Sequence, residues 1–394
     1  MEQPADRGAQ RRAAPPVLQN AFRPFFLAGA LWAAALVPLW VWEFAGGGSG
    51  PLASLGMTGH AHEMLYGYMA AIICGFALTA IPNWTGRAPV AGNGLAALFG
   101  LWVAGRIAVL AFDGIAAEVV DIAFLFVLAA VACREVMAGK NWRNLPVVGL
   151  LSLFALSHLL FHFPDYYLAA TRGTFAVAAL LIALIGGRIV PSFTRNWLAS
   201  TNSPHLASMP GPMKAYDKGS LGVLAVALFG WIIAPVHLIT GGLLVLAGLT
   251  QVVRLARWKG SATLAEPLVW SLHAGYAWLG IAVGLIGAGI VWPGAIPGSA
   301  GLHAMAAGLV GTMTLAVMTR ASRGHTGRAR EADAVTTVIY GLAHLGAIVR
   351  VCAALNGNDT ILLVAGATLW SGAFLLFVIG YAPMLFGAKP QKAG

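Results

Sequence analysis

Two histidines lie two residues apart in the motif GHAHEM, residues 59–64. Imidazole suits haem iron and copper, and the thioether of Met64 would add a soft ligand that favours Cu(I). Because His60 and His62 would point to nearly opposite faces of a helix, they cannot easily chelate one ion. They could serve two sites, or one could be a ligand and the other its partner. The alternative is a polar helix start, with Glu63 stabilised by the helix dipole.

A second candidate ligand is His303, in GLHAMAAG. His303 precedes the tripeptide TGR at 326–328 by the same interval, roughly 23 residues, that separates His62 from TGR at 85–87. At about 1.5 Å per residue this interval crosses a bilayer. A third segment, GGRIVPSFTRNW at 186–197, shares its proline and threonine spacing with IPNWTGR. These matches predict an internal repeat.

Four further histidines carry open alternatives. His158 and His162 are four apart and share a helix face, a spacing that can chelate a metal, but the aromatic residues around them favour an interfacial belt. His273 and His344 lie inside apolar segments, where a neutral imidazole needs either a cofactor or an interhelical hydrogen bond. His237, near the outer end of a predicted helix, is a further metal candidate.

Two arginines lie within apolar segments, toward their outer halves. Arg350 and Arg106 could pair with haem propionates, because a carboxylate in a low dielectric needs a cationic partner. The competing role is a structural salt bridge to Asp113, Glu118 or Asp121.

These residues are carried by a chain in which 59% of the 394 residues are hydrophobic and 10% are charged. Such a composition cannot form a water-soluble surface, so it predicts an all-α polytopic membrane protein. A single membrane domain is predicted over residues 25–386, between a cytoplasmic segment 1–24 and a cytoplasmic tail 387–394. About twelve apolar stretches are long enough to span a bilayer, at roughly 25–45, 61–82, 91–112, 117–137, 145–163, 170–190, 219–237, 240–257, 266–291, 300–320, 334–354 and 360–384.

The basic residues set the orientation. Of the 24 Lys and Arg residues, only Arg106, Arg172 and Arg350 lie toward the outside when the N-terminus is placed in the cytoplasm. The positive-inside rule therefore predicts that both termini are cytoplasmic. The formal charge of +10 reflects this orientation and contact with anionic lipid, and it offers no basic folded domain for nucleic acid.

On the inner side, the roles of the segment 191–218 and of His325 are left open. The inner segment 191–218 is either a lid or partner surface, or a flexible crossover between halves of the helix bundle. Pro82 and Pro191 are expected to terminate or kink their helices. His325, in GHTGR, belongs either to a cytoplasmic-face site or to a tight turn.

Helices 2, 6 and 10 would be equivalent members of three four-helix sets, an architecture that resembles the catalytic subunit of haem-copper oxidases. The resemblance implies that His62 and His303 are axial ligands of a low-spin haem and that Arg350 binds its propionates. The chain departs from that family at the copper site, since predicted helix 6 has no histidine and helix 7 offers only His237.

Longer motifs resemble the NnrS family of bacterial membrane proteins over nearly the whole chain. This resemblance implies a haem- and copper-associated protein of the bacterial inner membrane, linked to nitric oxide metabolism and protection from nitrosative stress. It implies no established reaction. The motifs are FRPFFLAG (22–29), GHAHEMLYGY (59–68), GFALTAIPNWTGR (75–87), GGRIVPSFTRNW (186–197) and GTMTLAVMTRASRGHTGR (311–328).

The leading hypothesis is a membrane protein with one or two haem b groups, ligated by His62 and His303, that binds or reduces nitric oxide. His60 is a further ligand candidate, and whether copper is also bound is left open. The electron donor is left open, with a quinol and a periplasmic redox protein as candidates. Two alternatives are a transporter that moves metal ions or protons by way of its histidines, and a haem-bearing sensor without turnover.

Overall fold

The computed structural model describes residues 11, 13–46, 56–211 and 213–390. Within them, twelve helices are long and apolar enough to cross a membrane, and no strand is formed, so the predicted fold class is confirmed. Most of the predicted segment 1–24 and the end of the tail 387–394 lie outside the described residues. The helices are α1 (Phe22–Gly46), α2 (Gly56–Thr85), α3 (Gly92–Ala111), α4 (Ile115–Ala138), α5 (Trp142–Phe161), α6 (Tyr167–Ser200), α7 (Ala215–Ile233), α8 (Leu238–Ala256), α9 (Pro267–Val291), α10 (Gly298–His325), α11 (Ala334–Leu355) and α12 (Thr360–Phe386).

Helix α6 is longer than predicted and takes in the start of the inner segment 191–218. Pro191 lies inside α6 and Pro82 inside α2, so neither proline ends its helix. The added turns of α6 are stabilised by packing, because Thr194 and Leu198 are fully buried.

Helices α2, α6 and α10 share an irregularity. Each contains a π-helical stretch, at Glu63–Met69, Ile182–Gly186 and Ala304–Thr312 respectively. These are also the most buried helices, with 78%, 61% and 67% of an 18-residue apolar stretch buried, against 50% or less in the other nine. Both properties agree with the equivalence predicted from the matched motifs.

The helix contacts follow the same threefold scheme. Within the three sets of four, the first helix packs on the second and the third on the fourth. Neighbouring sets join through α4 with α5, α8 with α9, and α12 with α1, so the sets close into a ring. The buried helices α2, α6 and α10 lie inside that ring, where they position the groups described next.

Candidate metal centre

Four side chains with ligand atoms converge near the outer ends of three helices. His62 comes from the second turn of α2, Asp121 from the second turn of α4, His158 from the end of α5, and His162 from just beyond α5. One ligand atom from each lies within 4.8 Å of those of the other three. We call these four residues the outer cluster.

The two carboxylate–imidazole distances in the outer cluster are short. Nε2 of His62 lies 2.9 Å, and Nε2 of His158 3.0 Å, from Oδ2 of Asp121. The two Nε2 atoms are 3.2 Å apart, and Nε2 of His162 lies 3.9 Å from the same carboxylate oxygen. His62, Asp121 and His158 are 4%, 1% and 1% exposed, so these directly contacting groups are buried.

Glu63 decides which nitrogen of His62 carries the proton. Its Oε1 lies 3.0 Å from Nδ1 of His62, so the carboxylate accepts a hydrogen bond from that nitrogen. Nε2 of a neutral His62 then presents a lone pair toward the Asp121 carboxylate, an arrangement that is repulsive without a proton or cation between them. Among the described residues, Nε2 of His162 is also buried without a hydrogen-bond partner, at 3.9 Å from the same carboxylate oxygen. The donor set therefore fits a metal cation.

The charges of the buried side chains also favour a bound cation. Arg106 donates to Oε1 of Glu63 at 2.7 Å and also to Oδ1 of Asp121. Glu63, Arg106 and Asp121 are all 3% exposed or less. Two carboxylates and one guanidinium leave a net charge of −1 when the imidazoles are neutral, and a buried net charge is costly unless it is compensated. The salt bridge to Asp121, left open in the sequence, is present, and Arg106 pairs with Glu63 as well.

His162 lies outside the membrane-spanning segments, and its environment favours the neutral ring. Burial, followed by the neighbouring imidazole of His62, lowers the pKa of His162 to about 4. A neutral imidazole is the form that binds a metal, so His162 is ready to act as a ligand at neutral pH.

Aromatic packing fixes the ring of His158. Tyr66 stacks on it with ring centroids 4.0 Å apart and an interplanar angle of 15°. The Tyr66 hydroxyl is itself held, 2.7 Å from Oγ1 of Thr174 on α6. Such supporting contacts set the orientation of a metal ligand.

His60 and His62 contact different partners. Their two-residue spacing predicts this, because it places them on nearly opposite faces of a helix. His60 stacks on Trp40 at 4.8 Å between ring centroids and lies within electrostatic range of His303 and Arg350. Nη2 of Arg350 donates to Nε2 of His303 at 2.8 Å, while the His303 Nδ1 donates to a backbone carbonyl. A haem held jointly by His62 and His303 stays a prediction; in the structure, Nε2 of His62 faces Asp121 and Nε2 of His303 faces Arg350.

The remaining metal candidates lie elsewhere. Nε2 of His273 lies 2.7 Å from Oγ1 of Thr194, and Nδ1 of His344 accepts from the Trp278 indole at 3.2 Å, so both make interhelical hydrogen bonds. His237 is exposed and accepts a backbone N–H at the start of α8.

Comparison with known protein families matches residues 16–389 to the family described as NnrS protein. The chain belongs to the NnrS family. Membership and the twelve apolar helices fit a multi-pass membrane protein tied to nitric oxide. No curated protein matches the chain.

In this NnrS protein, the structure adds neighbours to His62 that the sequence did not join to it. For His158 and His162 the sequence left open a metal-chelating pair and an interfacial belt, and it considered Asp121 as a salt-bridge partner; the structure gathers all three around His62. The available signal was a pair of histidines four apart at one outer helix end, with an aspartate in the outer turns of the preceding helix.

Proposed function

We propose that this NnrS protein binds a transition metal ion in the outer cluster and that the bound metal binds nitric oxide at the outer side of the bacterial inner membrane. The observation that carries the proposal is the convergence of three imidazoles and one carboxylate in a buried region of net negative charge. A divalent cation satisfies both the unpaired Nε2 of His162 and the uncompensated charge.

Three nitrogen donors and one oxygen donor suit iron or copper, which supply a coordination position for a diatomic ligand and a change of oxidation state. The chain's own residues prepare the site. Glu63 holds His62 with Nε2 available, and Arg106 binds Oδ1 of Asp121, so that Oδ2 is left for the metal. Tyr66 keeps the ring of His158 in place. Reduction of nitric oxide would in addition need electrons from a quinol or a periplasmic redox protein.

Haem b between His62 and His303 is the second candidate, and Arg350 favours it. Within the described part of the chain, Nη1 of Arg350 is buried without a hydrogen-bond partner, and Nη2 contacts the neutral His303 rather than a carboxylate. A propionate would pair with this guanidinium. Because both candidates use His62, variants that lack His158 or His303 separate them.

The test is metal analysis and absorption spectroscopy of protein purified in detergent, before and after reduction and after addition of nitric oxide. We expect His158→Ala to lose the metal and the spectral response to nitric oxide. His303→Ala and the exposed control His237→Ala should keep both. Loss of a haem spectrum in His303→Ala, with full retention in His158→Ala, would move the site to the haem candidate. Unchanged metal content in His158→Ala would reject the outer cluster.

A further inference from the structure

A cavity of about 320 Å³ opens among the inner ends of α2, α6 and α10. A second cavity, of about 100 Å³ and with purely apolar walls, adjoins it and shares Phe76, Trp84 and Ile189 among its lining residues. Together they form a slot on the inner side, at the opposite ends of these helices from the outer cluster.

The three repeated motifs meet at this slot. Asn83 and Trp84 come from IPNWTGR, Phe193 from GGRIVPSFTRNW, and Arg320 and His325 from the motif that ends α10. The outer cluster uses none of these residues. His325 thus lines a cavity at the predicted cytoplasmic face, which agrees with one of the two roles left open for it.

The mouth of the slot is cationic, and its walls are apolar. Arg320, Arg330 and His325 line it, and none of the described residues that line it is acidic. Among the described residues the Arg320 guanidinium makes no hydrogen bond or salt bridge, and its Cζ lies 3.9 Å over the ring of Phe193. The carboxylate of Glu266 attracts Arg320 electrostatically but makes no salt bridge with it, and its Oε1 accepts from two backbone N–H groups.

We propose that the slot binds an amphiphile with an anionic oxygen head group, which pairs with Arg320 while the apolar chain lies between Phe76 and Ile189. A guanidinium without a salt bridge at the mouth of an apolar cavity can pair with an oxyanion, and the apolar walls can hold a hydrocarbon chain. A fatty acid carboxylate and an acidic phospholipid both have this chemistry. The proposal does not depend on metal in the outer cluster.

Native mass spectrometry of delipidated protein in non-ionic detergent tests this, with oleate and phosphatidylglycerol titrated separately and the neutral decylubiquinone for comparison. We expect saturable binding of one anionic amphiphile per chain. Arg320→Gln should lower the affinity by about tenfold or more, because a hydrogen bond from a charged donor is lost. The control is Arg257→Gln, since Arg257 also stacks on an aromatic ring, that of Tyr216 at 4.6 Å, but does not line the slot.

A second variant fills the slot without removing charge. Ala321→Phe adds a ring at a lining position, and it should abolish binding while metal content and elution volume stay unchanged. Whichever of oleate and phosphatidylglycerol binds at the lower concentration identifies the source of the head group. Binding to Arg320→Gln and Ala321→Phe at wild-type strength would overturn the proposal. So would tighter binding of decylubiquinone than of either anion, or no saturable binding by the wild type.

Discussion

Replacing Asp121 by Asn tests whether the outer cluster is a metal site or only an ion pair. Asparagine keeps the size of the side chain and removes the charge from an oxygen that lies 2.9 and 3.0 Å from two imidazole nitrogens. Loss of an anionic ligand should lower the affinity for the metal by about 100-fold or more. This corresponds to about 3 kcal/mol of binding free energy, at about 1.4 kcal/mol per tenfold change in affinity. At a metal concentration about 100 times the wild-type dissociation constant, the metal stabilises the wild type by about 2.7 kcal/mol and the variant by only about 0.4 kcal/mol.

Without metal, Asp121→Asn should have a much smaller effect on the free energy of unfolding. Breaking a buried ion pair costs about 3–5 kcal/mol when it leaves a charge without compensation. In Asp121→Asn the guanidinium of Arg106 still pairs with Glu63, and the net charge of these buried groups changes from −1 to zero. We therefore expect the metal-free variant to lose far less than 3 kcal/mol of its free energy of unfolding.

The assay is thermal or denaturant unfolding in detergent, with and without metal, together with metal analysis. Asp359→Asn is the matched control, because Asp359 caps α12 by accepting from the N–H of Leu362 and asparagine caps a helix equally well. Wild-type metal content and metal stabilisation in Asp121→Asn would refute the metal assignment. A metal-independent loss of about 3–5 kcal/mol would show that Asp121 acts only through its ion pair.

Three further predictions follow from other contacts. Glu63→Gln should weaken metal binding by about 10–100-fold, because His62 loses the charged acceptor that fixes its tautomer, and equal affinity in a metal titration would contradict this role. Gly248→Ala should cost about 1–3 kcal/mol in an unfolding assay, since its Cβ would lie 2.7 Å from a carbonyl of α9, whereas Gly242→Ala on the same helix meets open space and should not destabilise. The pKa of His162 is lowered to about 4, so the unfolded chain binds a proton that the folded chain does not as the pH falls below 6.5. The metal-free protein should lose stability between pH 6.5 and 4, and His162→Gln, compared with the wild type at pH 7 and pH 5, should remove part of this loss.

The sequence by itself determined the properties that depend on local composition. Hydropathy predicted twelve spanning helices, because each span must be apolar over about 20 residues wherever its neighbours lie. The repeated motifs predicted that α2, α6 and α10 are equivalent, and the three π-helical stretches agree with that prediction. The two-residue spacing of His60 and His62 predicted that they face different sides, since helix geometry alone decides this.

Only the tertiary structure decided which side chains meet. The partners of His62 come from α4 and the end of α5, and their meeting depends on how each helix is rotated and packed within the ring, which hydropathy does not encode. The same is true of the slot, whose cationic mouth is assembled by inner-side residues that are far apart in the chain. Arg106 shows the reason most directly. The sequence left open whether Arg106 pairs with a haem propionate or with an aspartate. Helix packing brings Glu63 of α2 and Asp121 of α4 to the same guanidinium.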